Sequence, residues 1–269
     1  MESHEQRRDA VRPANSSRLP WYDSVWLTKY LAAESVVRRI RPDALPWFVE
    51  AFKVFRTRSD FGVKLLERPF DEETLAAIRR TVASLRPADL ELHETRHFGR
   101  FVVHDHPFFT EFQERTVGLV SDVVGEPVEA AYNFLSLYTA SGVCPVHMDS
   151  PQAKWTLDLC IDQSAPWPIY FSQVRPWPEP PGEAWGADWD AGIRSLPDHR
   201  FTSYSLLPGQ AVIFSGSSQW HYRDAMPRVG TNPFCKLLFL HFIPRGTAEL
   251  VKPKNWARLF GIPELAEIN

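Results

Sequence analysis

The sequence has 269 residues with 30 basic and 33 acidic side chains, and its formal net charge of −3 argues against a broad nucleic-acid-binding surface. A hydrophobic fraction of 44% and a charged fraction of 23% are typical of one large globular domain with a real core. No apolar run approaches the roughly 18 residues needed to span a membrane, and residues 1–20 lack an apolar signal region. We therefore expect a cytoplasmic protein without a membrane partner. Its three cysteines lie in apolar segments without CxxC spacing and are expected to be buried thiols.

The N-terminal half is predicted to form helices that support a second, β-rich half. Apolar residues recur at helical spacing from Trp26 to Leu31 and again from Trp47 to Phe55, which indicates two amphipathic helices with an aromatic core face. A short strand is expected in GVKLLERPF, and Asp71 is expected to cap the helix DEETLAAIRRTVASL. A further helix is expected in FTEFQERTVGLVSDVVG.

Four histidines lie close together before the β-rich half. His97 and His104 flank the strand-like run GRFVV, so we interpret the four as loop or cavity-rim histidines rather than as a second metal site. They are His93, His97, His104 and His106.

From Val128 onward, short apolar runs alternate with Pro, Gly, Ser and Asp, which is typical of an antiparallel β-sandwich or barrel. The predicted fold class is α+β, with a double-stranded β-helix (jelly-roll or cupin-like) core preceded by supporting helices. An insertion rich in proline and tryptophan is predicted to form a lid over the barrel mouth. The expected organisation is a flexible tail (1–20) and one domain (21–269) made of helical support (21–127), a β core (128–244) with its lid-like insertion (173–200), and a C-terminal extension (245–269).

The strongest candidates for chemistry are His147 and Asp149, which lie two residues apart in an extended stretch. Side chains two residues apart on a strand point to the same side, so this imidazole and this carboxylate can bind one metal ion. His221 follows the predicted strand QAVIFSG and can project from the same end of the barrel. Two histidines and one carboxylate, with the remaining positions open, are the ligand set of non-haem Fe(II) oxygenases.

Residues 128–244 resemble the core of the Fe(II)/2-oxoglutarate-dependent dioxygenases. LSLYTASGVCPVHMDS is similar to the Tyr–Gly–His–Asp run of the prolyl-hydroxylase and AlkB-like branches, and TLDLCID, LLPGQAVIFSGSSQWHY and KLLFLHF are similar to the strands that follow it. The resemblance implies that His147, Asp149 and His221 bind Fe(II). It also implies that 2-oxoglutarate, as cosubstrate, and O₂ take the open positions.

The resemblance further implies a basic side chain that binds the distal carboxylate of 2-oxoglutarate. Lys236 is the preferred candidate, because it begins the last apolar strand and would alternate inward with Leu238 and Leu240. Arg228 is its rival. Tyr138, which precedes His147 by nine residues, is expected to donate its phenol to the same carboxylate.

The implied reaction is oxidation of an organic small molecule, such as a natural-product intermediate, with hydroxylation as the default and release of succinate and CO₂. Asp149 argues against halogenation, because the halogenase branch has Gly or Ala at this position. Two alternatives stay open: a peptide- or protein-directed hydroxylase of the same superfamily, and a cupin-type metal-binding protein without 2-oxoglutarate turnover. Candidate substrate contacts are Trp155, Trp167, Trp220, Arg100, Arg175 and Arg223.

Overall fold

A computed structural model of the protein describes residues 19–179 and 186–268. Within these ranges the α-helices are α1 (Val25–Ile40), α2 (Leu45–Ala51), α3 (Glu72–Ser84), α4 (Pro107–Val124), α5 (Trp189–Arg194) and α6 (Trp256–Phe260). The strands are β1 (Lys64–Leu66), β2 (Arg100–His104), β3 (Val128–Tyr138), β4 (Cys144–His147), β5 (Trp155–Gln163), β6 (Ile169–Ser172), β7 (Phe201–Tyr204), β8 (Ala211–Phe214), β9 (His221–Arg223) and β10 (Cys235–Pro244). The predicted tail, residues 1–20, lies outside the described residues apart from its last two positions. Among the described helices, none combines the length and the apolar character that a membrane crossing requires.

The described strands form two antiparallel sheets. The larger sheet has the order β1-β8-β5-β10-β3-β2, and the smaller has the order β4-β9-β6-β7. Strand β10 lies inside the larger sheet, paired with β3 on one side and β5 on the other. Buried residues from both sheets, among them Tyr138, Leu237 and Phe171, belong to one apolar cluster, so the sheets pack face to face. This arrangement confirms the predicted α+β fold with a jelly-roll core.

The face of the larger sheet that points away from the smaller one is covered by α3 and α4. Leu238 and Leu240 of β10 pack there in one apolar cluster with Ile78 of α3 and with Phe109 and Val120 of α4. Because side chains alternate along a strand, the intervening residues of β10 point to the smaller sheet. The predicted cap of α3 is confirmed, since Asp71 accepts a hydrogen bond from the Thr74 amide at 2.8 Å.

Helices α1 and α2 pack on the C-terminal extension rather than on the cavity between the sheets. Trp26, Tyr30 and Phe48 are buried among Trp256 and Phe260, which confirms that the aromatic side chains on α1 form core. Trp47 differs, because 54% of its surface is exposed. The helical repeat from Trp47 to Phe55 is interrupted after α2, where a 3₁₀ turn (Phe52–Phe55) follows.

The insertion predicted as a lid, residues 173–200, is described except for 180–185, which include Trp185. Trp177 is buried against Trp26 and Tyr30, so it contributes to the helical core. Helix α5 packs on strand β4, where the carboxylate of Asp190 accepts a hydrogen bond from the Val146 amide at 2.7 Å. The described part of the insertion therefore supports the strand that carries His147, and a lid motion stays a prediction.

Candidate functional site

A cavity of about 260 Å³ lies between the two sheets. Its walls include residues of β2, β3, β5 and β10 from the larger sheet and of β4, β6 and β9 from the smaller one. The N-terminal segment before α1 adds Tyr22 and Asp23. The volume is just below the roughly 300–1,000 Å³ typical of small-molecule sites.

His147, Asp149 and His221 converge on one point of this cavity. His147 ends β4 and His221 begins β9, and the register of these two strands pairs the two residues directly. The carboxylate atom Asp149 Oδ1 lies 3.4 Å from His147 Nε2 and 3.7 Å from His221 Nε2. All three ligand atoms lie within 4.8 Å of one another, and metal bonds of about 2.0–2.2 Å would draw them to roughly 3.0–3.5 Å. In the part of the chain that the structure describes, this is the one group of three potential ligands close enough to share an ion.

Backbone contacts orient the two imidazoles and hold the main chain of Asp149 in place. His147 Nδ1 lies 2.9 Å from the Pro145 carbonyl oxygen, and His221 Nδ1 lies 3.0 Å from the Gln219 carbonyl oxygen. Donation from each Nδ1–H to a carbonyl leaves the Nε2 lone pairs for a metal, which is the usual outer contact of ligating histidines. The Asp149 amide donates to the Gly216 carbonyl at 2.9 Å.

Gly216 is needed beside the Asp149 carboxylate. A Cβ at position 216 would lie 2.2 Å from Asp149 Oδ2 and 2.6 Å from the Ala153 carbonyl oxygen. Any larger residue would therefore displace the carboxylate. The donor set, the free Nε2 atoms and this close backbone approach fit a divalent transition metal such as Fe(II).

Electrostatics keep Asp149 and His221 in the states that a metal needs, whereas His147 must lose a proton to bind one. Against the lowering effect of burial, the neighbouring Cys144 and Asp149 side chains raise the pKa of His147 well above its usual value. Burial opposes ionisation of Asp149, but the adjacent His221 and His147 imidazoles hold the pKa of its carboxyl well below the usual range. Burial, assisted by the nearby His147, lowers the pKa of His221 to about 4. An ionised carboxylate and a neutral imidazole can both donate lone pairs at neutral pH.

Two arginines and a tyrosine occupy one end of the cavity. Arg223 follows His221 by two residues on β9 and is buried, with Nη2 2.8 Å from Asp158 Oδ2. Arg100 on β2 pairs with Glu94 and donates from Nη1 to Tyr138 Oη at 2.7 Å. These buried cations form an end that can bind a carboxylate.

The predicted anchors Lys236 and Arg228 are not among the residues that line this cavity. Lys236 shares the helix-facing side of β10 with Leu238 and Leu240, and its ammonium lies 3.3 Å from Asp162 Oδ2, with 37% of the side chain exposed. Arg228 is exposed. The expected alternation of Lys236 with the two leucines is correct, but that side of the strand faces the helices, so the inward orientation predicted for Lys236 is wrong. Tyr138, in contrast, does line the cavity.

The other candidate residues also divide into those that line the cavity and those that do not. Of the four neighbouring histidines, His93 and His104 line the cavity rim beside Glu91 and Glu94. Among the proposed substrate contacts, only the two arginines of the cavity end line it. The residues that lie elsewhere are His97, His106, Trp155, Trp167, Trp220 and Arg175.

Two further residues of the cavity wall did not stand out in the sequence. Asp23 lies in a 3₁₀ turn (Tyr22–Ser24), with Oδ2 3.8 Å from His147 Nε2. Burial, and to a lesser extent the Asp149 carboxylate, raise the pKa of Asp23 to about 7, although His147 opposes the shift. His241 lies in the apolar run KLLFLHF. The sequence alone does not show which residues of that strand face the cavity, so His241 could not be identified from it.

Comparisons with known proteins bear on the fold. No protein-family model and no curated protein matches the sequence. The structure of HygX from Streptomyces hygroscopicus with iron bound matches with a TM-score of 0.50 at 13% identity, covering 74% of this chain and 86% of that one. EctD from S. alaskensis with 2-oxoglutarate and 5-hydroxyectoine matches at 0.47 and 12% identity, covering 68% and 72% of the two chains. The epimerase SnoN from nogalamycin biosynthesis, described as non-heme and alpha ketoglutarate dependent, matches at 0.47 and 15%, covering 77% and 90%. The match to HygX shows that the chain shares its fold.

Proposed function

We propose that the protein is a non-haem Fe(II)/2-oxoglutarate-dependent oxygenase that oxidises an organic small molecule, with hydroxylation as the default outcome. The observation that carries the proposal is the convergence of His147, Asp149 and His221 in the wall of the cavity between the two sheets. The ligand set of two histidines and one carboxylate favours Fe(II). Bound Fe(II), with 2-oxoglutarate and O₂, would supply the oxidising chemistry and release succinate and CO₂.

The protein's own residues would bind the metal and the substrates, orient them, and exclude water. His147, Asp149 and His221 would hold the metal from one side and leave the other side open to the cavity. The small, walled cavity supports a small organic substrate over a peptide segment, which needs an open groove. The intact set of three ligands supports turnover over a purely structural role.

Tyr138 is proposed to bind the distal carboxylate of 2-oxoglutarate, together with the guanidinium groups beside it. Its hydroxyl is already oriented by Arg100 Nη1 at 2.7 Å, and the buried Arg223 adds positive charge to the same end. Hydrogen bonds to a charged group are worth about 1.5–3 kcal/mol. Removing the Tyr138 hydroxyl should therefore weaken 2-oxoglutarate binding by roughly 10- to 100-fold.

The test is an anaerobic titration of the protein with Fe(II) and 2-oxoglutarate, followed by the weak metal-to-ligand charge-transfer band in the visible. We expect the band in the wild type, its loss through weaker metal binding in Asp149→Ala, and a higher 2-oxoglutarate requirement in Tyr138→Phe. Lys236→Met is the matched control, because this cation lies outside the cavity, and it should titrate as the wild type does.

Succinate formation in air completes the test. Iron binding without the band and without succinate would instead support the cupin-type metal-binding protein. A weakened 2-oxoglutarate response in Lys236→Met but not in Tyr138→Phe would refute the assignment of the anchoring end.

A further inference from the structure

One polar atom in the cavity wall has no assigned role: the Nε2 nitrogen of His241. The side chain of His241 is buried and lines the cavity. Its Nδ1 lies 3.0 Å from Thr156 Oγ1, whereas Nε2 has no hydrogen-bond partner among the described residues. A buried nitrogen without a hydrogen-bond partner is unfavourable, so a bound polar group that pairs with it would be stabilised there.

His241 belongs to a row of aromatic rings on two neighbouring strands, which we call the aromatic row. Tyr132 and Phe134 of β3 face His241 and Phe239 of β10 as cross-strand pairs, and all four line the cavity. Ring centroids within the pairs are 4.2 Å and 4.8 Å apart, with interplanar angles of 25° and 27°.

These separations are close to the spacing between strands, so the rings stand upright on the sheet and present their edges to the cavity. Ring edges carry partial positive charge and attract the negative face of another aromatic ring. The aromatic row therefore suits a flat aromatic ring that lies across it in edge-to-face contact.

The imidazole of His241 is held rigidly at the end of this row. Thr156 fixes one nitrogen, and Tyr132 packs against the ring. If Nδ1 accepts from Thr156, Nε2–H is a donor; if Nδ1–H donates, Nε2 is an acceptor. A hydroxyl group can pair with Nε2 in both cases, because it donates and accepts.

We infer that the cavity binds a hydroxylated aromatic ring, with the ring across the aromatic row and its hydroxyl on His241 Nε2. The inference rests on the proposed function, since it takes this cavity as the substrate site. It names the substrate class, and it makes His241 the residue that distinguishes a hydroxyl from a methyl group.

The matched probes are 4-methylphenol and 1,4-dimethylbenzene, which have the same shape and differ by one hydroxyl. Their dissociation constants are measured by ligand-observed NMR on the full-length protein, without and with Zn(II) and 2-oxoglutarate. We expect the wild type to prefer the phenol by about five- to tenfold, which corresponds to one hydrogen bond.

His241→Phe keeps a ring in the row and removes the nitrogen, so it should abolish the preference while still binding the dimethylbenzene. Phe239→Leu should weaken both probes alike, and His97→Phe, the same change at an exposed histidine, should alter neither. The ¹⁵N resonance of His241 Nε2 should shift with the phenol and not with the hydrocarbon, a response that a merely structural histidine would not give.

Equal affinities in the wild type, or a preference that survives His241→Phe, would overturn the inference. Absence of binding by both probes would overturn it as well. The proposed function fails independently: a missing charge-transfer band with an intact hydroxyl preference would remove the oxygenase and retain the binding site.

Discussion

The two faces of the larger sheet bury very different side chains. On one face, Leu238 and Leu240 pack against α3 and α4 in a cluster of apolar side chains. The other face holds Asp158, Thr156 and His241, together with arginines that reach in from β2 and β9. Apolar burial stabilises the first face directly, whereas ion pairs on the second lose hydration and return little net stability. The difference indicates that the cavity face serves ligand binding at some cost to the fold.

Breaking the buried ion pair on the cavity face should give the largest loss of stability and tests this difference between the two faces. The side chains of Arg223 and Asp158 are 3% and 0% exposed. Arg223→Met leaves the Asp158 carboxylate buried without a partner and should lower the free energy of unfolding by about 3–5 kcal/mol. Urea denaturation followed by tryptophan fluorescence measures the change.

The double variant Arg223→Met/Asp158→Leu is its control. Replacing a buried ion pair by apolar residues of similar volume is often neutral or stabilising. The double variant should therefore regain most of the lost stability, although 2-oxoglutarate binding should stay weak. A double variant as unstable as the single one would contradict the view that this pair is kept for binding.

A substitution on the apolar face should lower the free energy of unfolding by a smaller amount and, unlike the ion-pair variants, should leave ligand affinity unchanged. Leu240→Ala removes a fully buried side chain between the sheet and the helices and should cost about 3 kcal/mol through lost burial and the remaining space. Fe(II) and 2-oxoglutarate affinities of the folded fraction should not change. A drop in metal affinity beyond a factor of about two would show that the two faces are coupled.

The sequence predicted most of the fold because its signals are local. Asp71 begins an acidic helix turn, and short apolar runs separated by Pro, Gly, Ser and Asp mark the strands of the second half. His147 and Asp149 were found because side chains two residues apart on an extended chain point to the same side. Their partner His221 follows an apolar strand, and antiparallel pairing places it opposite His147.

The residues that were missed depend on distant packing. Alternation on β10 correctly grouped Lys236 with Leu238 and Leu240, but which side of the strand faces the second sheet is decided by where the helices dock. Asp23 lies in a single 3₁₀ turn, where no periodicity marks the side chain that reaches the cavity. Local patterns therefore identified the ligand strand and left the cavity wall undetermined.

Lys236 provides the smallest and most discriminating change. Its ion pair with Asp162 is exposed, with 37% and 46% of the two side chains accessible. Exposed pairs contribute about 0–1 kcal/mol, so Lys236→Met should change the free energy of unfolding by less than about 1 kcal/mol. Because the ammonium lies on the helix-facing side of β10, 2-oxoglutarate affinity should stay within a factor of about two. A tenfold loss of affinity at nearly unchanged stability would mean that β10 turns its other face to the cavity, and the contrast between the two faces would have to be reversed.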